Sequence, residues 1–124
     1  MILGIHHATF ISSDLARSRG FYEGLLGLKP DQNRPLMSFD GVWYDVAPGQ
    51  QIHLMLLPDP YAGAERPLHG GRDRHVALLV ENVKTLASHL LEAGVAFTLS
   101  QSGRSALFCR DPDGNALEFL QAKP

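Results

Sequence analysis

Four side chains of metal-ligating type occur in the sequence of 124 residues at a spacing that repeats between its two halves. They are three imidazoles and one carboxylate: His7, His53, His75 and Glu118. A ligand set rich in nitrogen suits a divalent ion such as zinc, nickel, manganese, iron or cobalt, whereas calcium prefers more oxygen ligands. The residue types therefore predict a divalent-metal site.

The spacing of these residues indicates an internal repeat. His7 and His75 are 68 residues apart, and His53 and Glu118 follow them by 46 and 43 residues. His53 and Glu118 each lie between two apolar residues, so in a strand each would face away from the apolar side. The four residues therefore form two pairs at equivalent positions. The alternative reading is that they are ordinary polar residues on a half-exposed face of a sheet.

The elements that must position these residues follow the order β-α-β-β-β, and the order occurs twice. Ser13 and Asp14 are the candidate N-caps of the first helix, and Asn82 is the predicted N-cap of the second. We expect an α+β fold with a first βαβββ module at residues 1–57, a linker at 58–73 and a second module at 74–124, all in one domain, 1–124. The predicted strands cover residues 6–12, 36–39, 42–46, 51–57, 74–80, 95–100, 106–109 and 116–121.

The repeat also distinguishes two adjacent histidines. Successive side chains of a strand point to opposite faces, so His6 and His7 cannot both face one site. The register pairs His7 with His75, whereas it pairs His6 with Arg74. His7 is therefore the predicted ligand, and His6 is predicted to lie on the opposite face.

Composition and charge exclude several classes of function. The formal net charge is −2 and no cluster of Lys and Arg occurs, which argues against a nucleic-acid partner. No apolar run approaches the roughly 20 residues of a membrane span. The only cysteine, Cys109, excludes an internal disulfide and, with no export signal at the N-terminus, favours the cytoplasm. We expect Cys109 to be a small apolar filler and not a nucleophile.

Two segments carry a family resemblance that covers nearly the whole chain. IHHATFISSDLARSRGFYEGLLGL, residues 5–28, resembles the first module of the vicinal-oxygen-chelate superfamily, and CRDPDGNALEF, residues 109–119, resembles its closing signature. The superfamily includes glyoxalase I, fosfomycin-resistance thiol transferases, extradiol dioxygenases and bleomycin-binding proteins. The glyoxalase-like members are the nearest likeness, through QQIHLMLLPDP and HGGRDRHVALLVE. The resemblance implies two βαβββ modules that form a cupped mixed sheet around a divalent metal ion.

The resemblance also implies residue roles. His7, His75 and Glu118 match the three commonest ligands of the superfamily, whereas His53 stands where glyoxalase I usually has a glutamate. The implied activity is proton transfer on a small α-hydroxycarbonyl or thiohemiacetal through a metal-stabilised enediolate, with Glu118 as catalytic base. Arg104 and Arg72 are candidate anchors for a substrate carboxylate, as is Arg110.

Other members of the superfamily suggest alternatives. These are thiol transfer to an antibiotic, ring cleavage by a dioxygenase, and non-catalytic binding of a ligand or antibiotic. A fourth protein ligand at His53 would crowd the positions that a dioxygenase needs. By analogy with small members, we expect a homodimer with shared active sites that acts on a small molecule in the cytoplasm.

Overall fold

Two four-stranded mixed β-sheets carry most of the regular structure. The computed structural model describes residues 1–124, and the chain divides into two units, Met1–Ala62 and Gly63–Pro124. Each unit contains one sheet with one α-helix. No helix of the chain has both the length and the apolar character needed to cross a bilayer. The division between the units falls within residues 58–73 of the predicted linker.

In the first unit, the strand that opens the module lies beside the strand that closes it. The sheet order is β1-β4-β3-β2, in which β1 is parallel to β4 and the other neighbours are antiparallel. This arrangement puts residues near the two ends of the module side by side. The elements are β1 (His7–Ser12), α1 (Leu15–Arg19), β2 (Lys29–Pro30), β3 (Gly41–Ala47) and β4 (Gln50–Leu56).

The second unit repeats this topology. Its sheet order is β5-β8-β7-β6, with β5 parallel to β8 and the other neighbours antiparallel. A short 3₁₀ turn, Gly70–Arg72, precedes the first strand. The predicted α+β class and the repeated βαβββ order are confirmed. The elements are β5 (His75–Val80), α2 (Val83–Glu92), β6 (Phe97–Leu99), β7 (Ala106–Arg110) and β8 (Ala116–Gln121).

Equivalent residues cap the first helix of each unit. The Asp14 carboxylate accepts a hydrogen bond from the backbone N–H of Arg17 at 3.1 Å, and the Asn82 side-chain oxygen accepts one from that of Thr85 at 3.0 Å. Each cap satisfies a backbone donor that the first helical turn leaves without a partner. Of the two candidates for the first helix, Asp14 is the N-cap, and the predicted N-cap Asn82 is confirmed.

The largest fully buried apolar side chains of the strands lie on the sheet face opposite to the predicted ligands. Ile52 and Leu54 are buried on one face of β4, so His53 between them projects from the other face. The two neighbours of Glu118 in β8 are likewise buried. The apolar cores thus fix which face presents the ligands. The large, fully buried side chains are Tyr22, Tyr44, Ile52 and Leu54 in the first unit and Leu90, Leu107 and Leu117 in the second.

The strand predicted at residues 36–39 is wrong. These residues form a loop, and the additional strand of the first sheet is the two-residue β2, where Lys29 and Pro30 pair with β3. The Arg34 guanidinium donates to the backbone carbonyl of Phe39 at 3.0 Å and closes the loop. Leu36 is fully exposed, so this apolar run contributes no core.

The first α-helix has only five residues. After α1 the chain widens into a π-helical turn, Gly20–Leu25, in which the backbone N–H of Leu26 donates to the carbonyl of Phe21 at 3.0 Å. Gly20 and Gly24 lie in this turn, and glycine weakens the preference for a regular α-helix. Gly27 then takes a positive φ of 75° and ends the helical segment, as its position predicts.

Candidate metal and catalytic site

His7 and His53 are in ring contact in the first unit. They lie on the adjacent parallel strands β1 and β4, and their rings stack with centroids 4.0 Å apart and planes 11° apart. Trp43 is directly opposite His53 on β3 and stacks on its other side, with centroids 4.2 Å apart and planes 6° apart. His53 is therefore held between two rings and is only 7% exposed. No pattern in the sequence marks Trp43 as a residue of the site.

This enclosure keeps His53 neutral at neutral pH. Burial is the largest cause that lowers the pKa of His53 to about 4, and the charge of nearby His7 is the next. A neutral imidazole has a lone pair on one ring nitrogen, which is the form that binds a metal ion.

A glutamine missed by the sequence analysis contacts His53 directly. The side-chain oxygen of Gln51 is 2.8 Å from Nε2 of His53. The Gln51 amide nitrogen donates to Asp31 at 2.8 Å and to Asp45 at 2.9 Å. Because residues two apart in a strand share a face, the alternation around His53 could have placed Gln51 beside it. The contact with Asp31 depends on the tertiary fold.

His6 does not follow the prediction from strand alternation. His6 lies directly before β1, and its backbone carbonyl accepts a hydrogen bond from the backbone N–H of Gln51 in β4 at 3.0 Å. Its Nδ1 atom is 2.8 Å from Nδ1 of His7, with the two rings edge to face. The placement of His6 on the face opposite to His7 is therefore wrong, since its ring is a hydrogen-bond partner of the predicted ligand.

His75 and Glu118 form the corresponding pair in the second unit. They lie on the adjacent parallel strands β5 and β8, with Nε2 of His75 3.2 Å from Oε1 of Glu118. The other ring nitrogen of His75 is 2.9 Å from the backbone carbonyl oxygen of Asp73. A carbonyl oxygen can only accept, so Nδ1 of His75 carries the proton. In the neutral ring, the lone pair of Nε2 then faces a carboxylate oxygen.

Glu118 is buried and its second oxygen contacts an arginine. The carboxylate is 4% exposed, and Oε2 accepts from Arg104 at 3.2 Å. The Arg104 side chain also donates to the hydroxyl of Ser102 at 3.0 Å. Phe108 lies opposite Glu118 on β7, and the edge of its ring contacts His75 with centroids 5.4 Å apart. Arg104 therefore belongs to the surroundings of the predicted base.

The other two arginines differ in their surroundings. Arg110 is engaged in structural bonds, because it donates to Asp73 at 2.7 Å and to the carbonyl oxygens of Pro67 and Gly114. This bond from Arg110 is the main cause that holds the pKa of Asp73 well below its usual range. Arg72 lies on the exposed turn before β5 and makes no hydrogen bond to His75 or Glu118.

The two pairs occupy corresponding positions in the two sheets. His53 is beside Thr9 in the register of β1 with β4, and Glu118 is beside Ala77 in that of β5 with β8. Thr9 and Ala77 are 68 residues apart, which is also the separation of His7 and His75. Each unit by itself thus brings two predicted ligands together. The structure contains no group of three or more His, Cys, Asp or Glu side chains that could hold a metal ion.

A cavity of about 240 Å³ lies within the second unit, next to these residues. Phe108 is part of its wall and also contacts His75. The hydroxyl of Thr98, on the wall, is buried without a hydrogen-bond partner. Most residues of the wall are apolar. The full set is Leu68, Gly70, Val95, Ala96, Phe97, Thr98, Phe108, Cys109 and Arg110.

Cys109 is not a nucleophile of this site. It is buried in β7, and burial raises the pKa of its thiol to about 12. The thiolate is therefore scarce at neutral pH. The prediction of a small buried filler is confirmed.

Comparisons with known proteins place these observations in a family context. Residues 4–119 match the family model of the Glyoxalase/Bleomycin resistance protein/Dioxygenase superfamily. Glyoxylase I 4 of Arabidopsis thaliana is 25% identical over 123 residues, which are 95% of this chain and 70% of that protein. The trypanothione-dependent glyoxalase I of Leishmania major has a TM-score of 0.73 at 25% identity, covering 97% of this chain and 87% of that chain. The fosfomycin resistance protein FosX of Listeria monocytogenes has a TM-score of 0.76 at 17% identity, covering 97% and 91%, and this likeness shows the shared fold alone.

Proposed function

Because the chain belongs to the Glyoxalase/Bleomycin resistance protein/Dioxygenase superfamily, we propose that it is a metal-dependent enzyme of the glyoxalase I type. Its substrate would be a small α-hydroxycarbonyl compound or thiohemiacetal, and its reaction would move a proton between neighbouring carbons. The observation that carries the proposal is the contact between His75 and Glu118. The ligands would be His7, His53, His75 and Glu118.

The chemistry of the His75–Glu118 pair supports a metal ion. With the proton of the neutral ring on Nδ1, the Nε2 lone pair and the carboxylate oxygen are two acceptors 3.2 Å apart. Two facing acceptors repel each other unless a proton or a metal cation is shared between them. A histidine whose second nitrogen donates to a backbone carbonyl is also a common arrangement in metal sites.

Glu118 is suited to the role of base. A bound divalent ion would supply Lewis-acid stabilisation of negative charge on two neighbouring substrate oxygens. Because Oε1 of Glu118 faces His75, Oε2 is the atom that would take the proton and return it to the adjacent carbon. The low exposure of Glu118 would keep bulk water from competing for that proton.

Arg104 and the cavity would hold the substrate. The Arg104 side chain is 54% exposed and reaches Oε2 of Glu118, so it is placed to bind an acidic group of a substrate that approaches this oxygen. The cavity behind Phe108 would take a small apolar substituent. The second anchor, Arg72, stays a prediction, as do the homodimer with shared sites and the cytoplasmic location.

The proposal is tested on protein without a histidine tag, stripped of metal by a chelator. Zinc, nickel, manganese, iron and cobalt are added in turn, the bound metal is measured by mass spectrometry, and isomerisation of a panel of thiohemiacetals is followed. We expect one divalent ion per chain and metal-dependent turnover, both lost in His7→Ala and Glu118→Ala. His89→Ala, which removes an exposed histidine of α2, is the matched control and should change neither.

The alternative functions give other results in the same experiment. A chain that binds no divalent ion but retains an apolar antibiotic would be a binding protein, and the proposal would be wrong. Metal binding with thiol transfer to an epoxide or with ring cleavage, and no isomerisation, would also contradict it.

A further inference from the structure

The side-chain amide of Gln51 is fixed in one orientation by two carboxylates. Its nitrogen has two protons, and these go to Asp31 Oδ2 at 2.8 Å and Asp45 Oδ1 at 2.9 Å. The reversed amide would point its oxygen at both carboxylates, which is repulsive. The Gln51 oxygen is therefore the atom that faces His53.

This orientation determines which nitrogen of His53 carries the proton. The Gln51 oxygen can only accept, and it lies 2.8 Å from Nε2 of His53. The bond therefore requires the proton on Nε2. A neutral imidazole has a single ring proton, so the lone pair is on Nδ1.

We propose that Gln51, held by Asp31 and Asp45, is a positioning residue that fixes the tautomer and ring orientation of His53, so that Nδ1 is the atom offered to a metal ion. The statement that Nδ1 is offered to a metal ion rests on the proposed function. The statement about the tautomer of His53 in the metal-free protein is independent of that function.

The second unit has no such glutamine. The register partner of His7 is Gln51, whereas that of His75 is Ala116. His75 is instead fixed through its Nδ1 proton by the carbonyl of Asp73 at 2.9 Å. The two units thus orient their histidines through opposite ring nitrogens, so that in the neutral ring the lone pair is on Nδ1 of His53 and on Nε2 of His75.

A histidine ligand whose orientation is set by a hydrogen-bond partner binds its metal ion less tightly when that partner is removed. Loss of such a partner typically reduces metal affinity by about 10-fold to 100-fold. The rings of His7 and Trp43 restrict tilting of His53 but, as flat surfaces, do not select one ring nitrogen. Gln51 supplies that selection.

The test begins with the metal-free protein labelled with ¹⁵N. Long-range ¹H–¹⁵N correlation spectra identify the protonated nitrogen of each histidine ring. In the wild type we expect His53 to carry its proton on Nε2 in a single tautomer. In Gln51→Leu the two ring-nitrogen shifts should move towards each other as both tautomers become populated. Gln50→Leu, at the exposed neighbour in β4, is the matched control and should leave the spectrum of His53 unchanged.

Metal affinity is then measured with nickel for the same variants. We expect Gln51→Leu to bind nickel about 10-fold or more weakly than Gln50→Leu. If Gln51→Leu does not fold, Asp45→Ala, at an exposed position, should show both effects in smaller measure.

The outcomes separate this inference from the proposed function. A wild-type His53 protonated on Nδ1, or an unchanged tautomer and nickel affinity in Gln51→Leu and Asp45→Ala, would overturn the role of Gln51. A tautomer that responds to Gln51 in a wild type that binds no divalent ion would support the positioning of the ring, while the offer of Nδ1 to a metal and the proposed function would both be wrong.

Discussion

Nε2 of His75 lies 3.2 Å from Oε1 of Glu118, and the proton of the neutral ring is on the opposite nitrogen because Nδ1 donates to the Asp73 carbonyl. In the neutral ring, two acceptor atoms, Nε2 of His75 and Oε1 of Glu118, consequently point at each other in a partly buried position. With the ring neutral, this contact is unfavourable unless a proton or a metal cation lies between the two atoms.

Replacing Glu118 by glutamine should make the metal-free protein more stable while it damages the site. The amide nitrogen that Glu118→Gln introduces can donate to Nε2 of His75, so near pH 8 we expect a gain of about 1 kcal/mol in the free energy of unfolding. Metal affinity should fall by about 10-fold or more, and turnover by about 100-fold or more. Urea denaturation, metal titration and a turnover assay measure these effects. A metal-free variant that is clearly less stable than wild type would contradict this account of the pair.

The depressed pKa of His53 should make the metal-free protein less stable as the pH falls below neutrality. The unfolded chain protonates this imidazole near its ordinary value of 6.5, whereas the folded chain does so only near 4. Between these values the unfolded state binds more protons, so the free energy of unfolding falls with the pH. The contribution of His53 present above pH 6.5 and lost by pH 4 is on the order of 2 kcal/mol.

Chemical denaturation between about pH 7 and pH 4 tests this prediction. His53→Gln, which has no titrating ring, should lose stability less steeply over that interval. Parallel curves for the variant and the wild type would show that His53 titrates normally.

Cys109 should resist thiol reagents until the second unit unfolds. Its pKa of about 12 and its burial in β7 leave little thiolate and little access. We expect an aromatic disulfide reagent near pH 8 to label the native protein slowly and the denatured protein at once. Ser88→Cys, at an exposed position of α2, is the reference and should react rapidly in the native state. Equal rates at the two positions would contradict the buried placement.

The two equivalent helix caps should contribute similar stability. Asp14→Ala and Asn82→Ala each remove an acceptor for a backbone N–H of the first turn, so we expect each to cost about 1 kcal/mol. Denaturation curves of the single variants measure the cost. Asp14→Asn and Asn82→Asp retain an acceptor and should stay within about 0.5 kcal/mol of wild type. A cap variant without effect would indicate that the tertiary packing alone holds that helix.

The parts of the fold that could be predicted are those encoded by local periodicity and helix signals. The apolar neighbours of His53 indicate which face of β4 it occupies, and the N-cap residues Asp14 and Asn82 indicate the helices that follow. The separation of 68 residues then indicates which positions of the two sheets correspond. These signals lie within a few residues of the positions that they describe or recur in both halves.

The rest depends on contacts between distant segments. The strand at Lys29–Pro30 is only two residues long and is defined by its pairing with β3. The bond of Gln51 with Asp31 joins a loop to a strand, and no local pattern indicates it. The contact between the rings of His6 and His7 departs from strict alternation at the start of β1, and no local pattern indicates it. Interactions of this kind are fixed only when the tertiary fold is known.

The matched register of His53 and Glu118 has a consequence for how such proteins diverge. If the two halves descend from one duplicated ancestor, a mutation in either copy alters one ligand and leaves its counterpart untouched. A single change at position 53 between histidine and an acidic residue would alter the net charge of the proposed ligand set by one unit, while Glu118, the proposed proton acceptor, would stay unchanged. Selection could therefore change the preferred metal ion through the first half and preserve the proposed proton transfer in the second half.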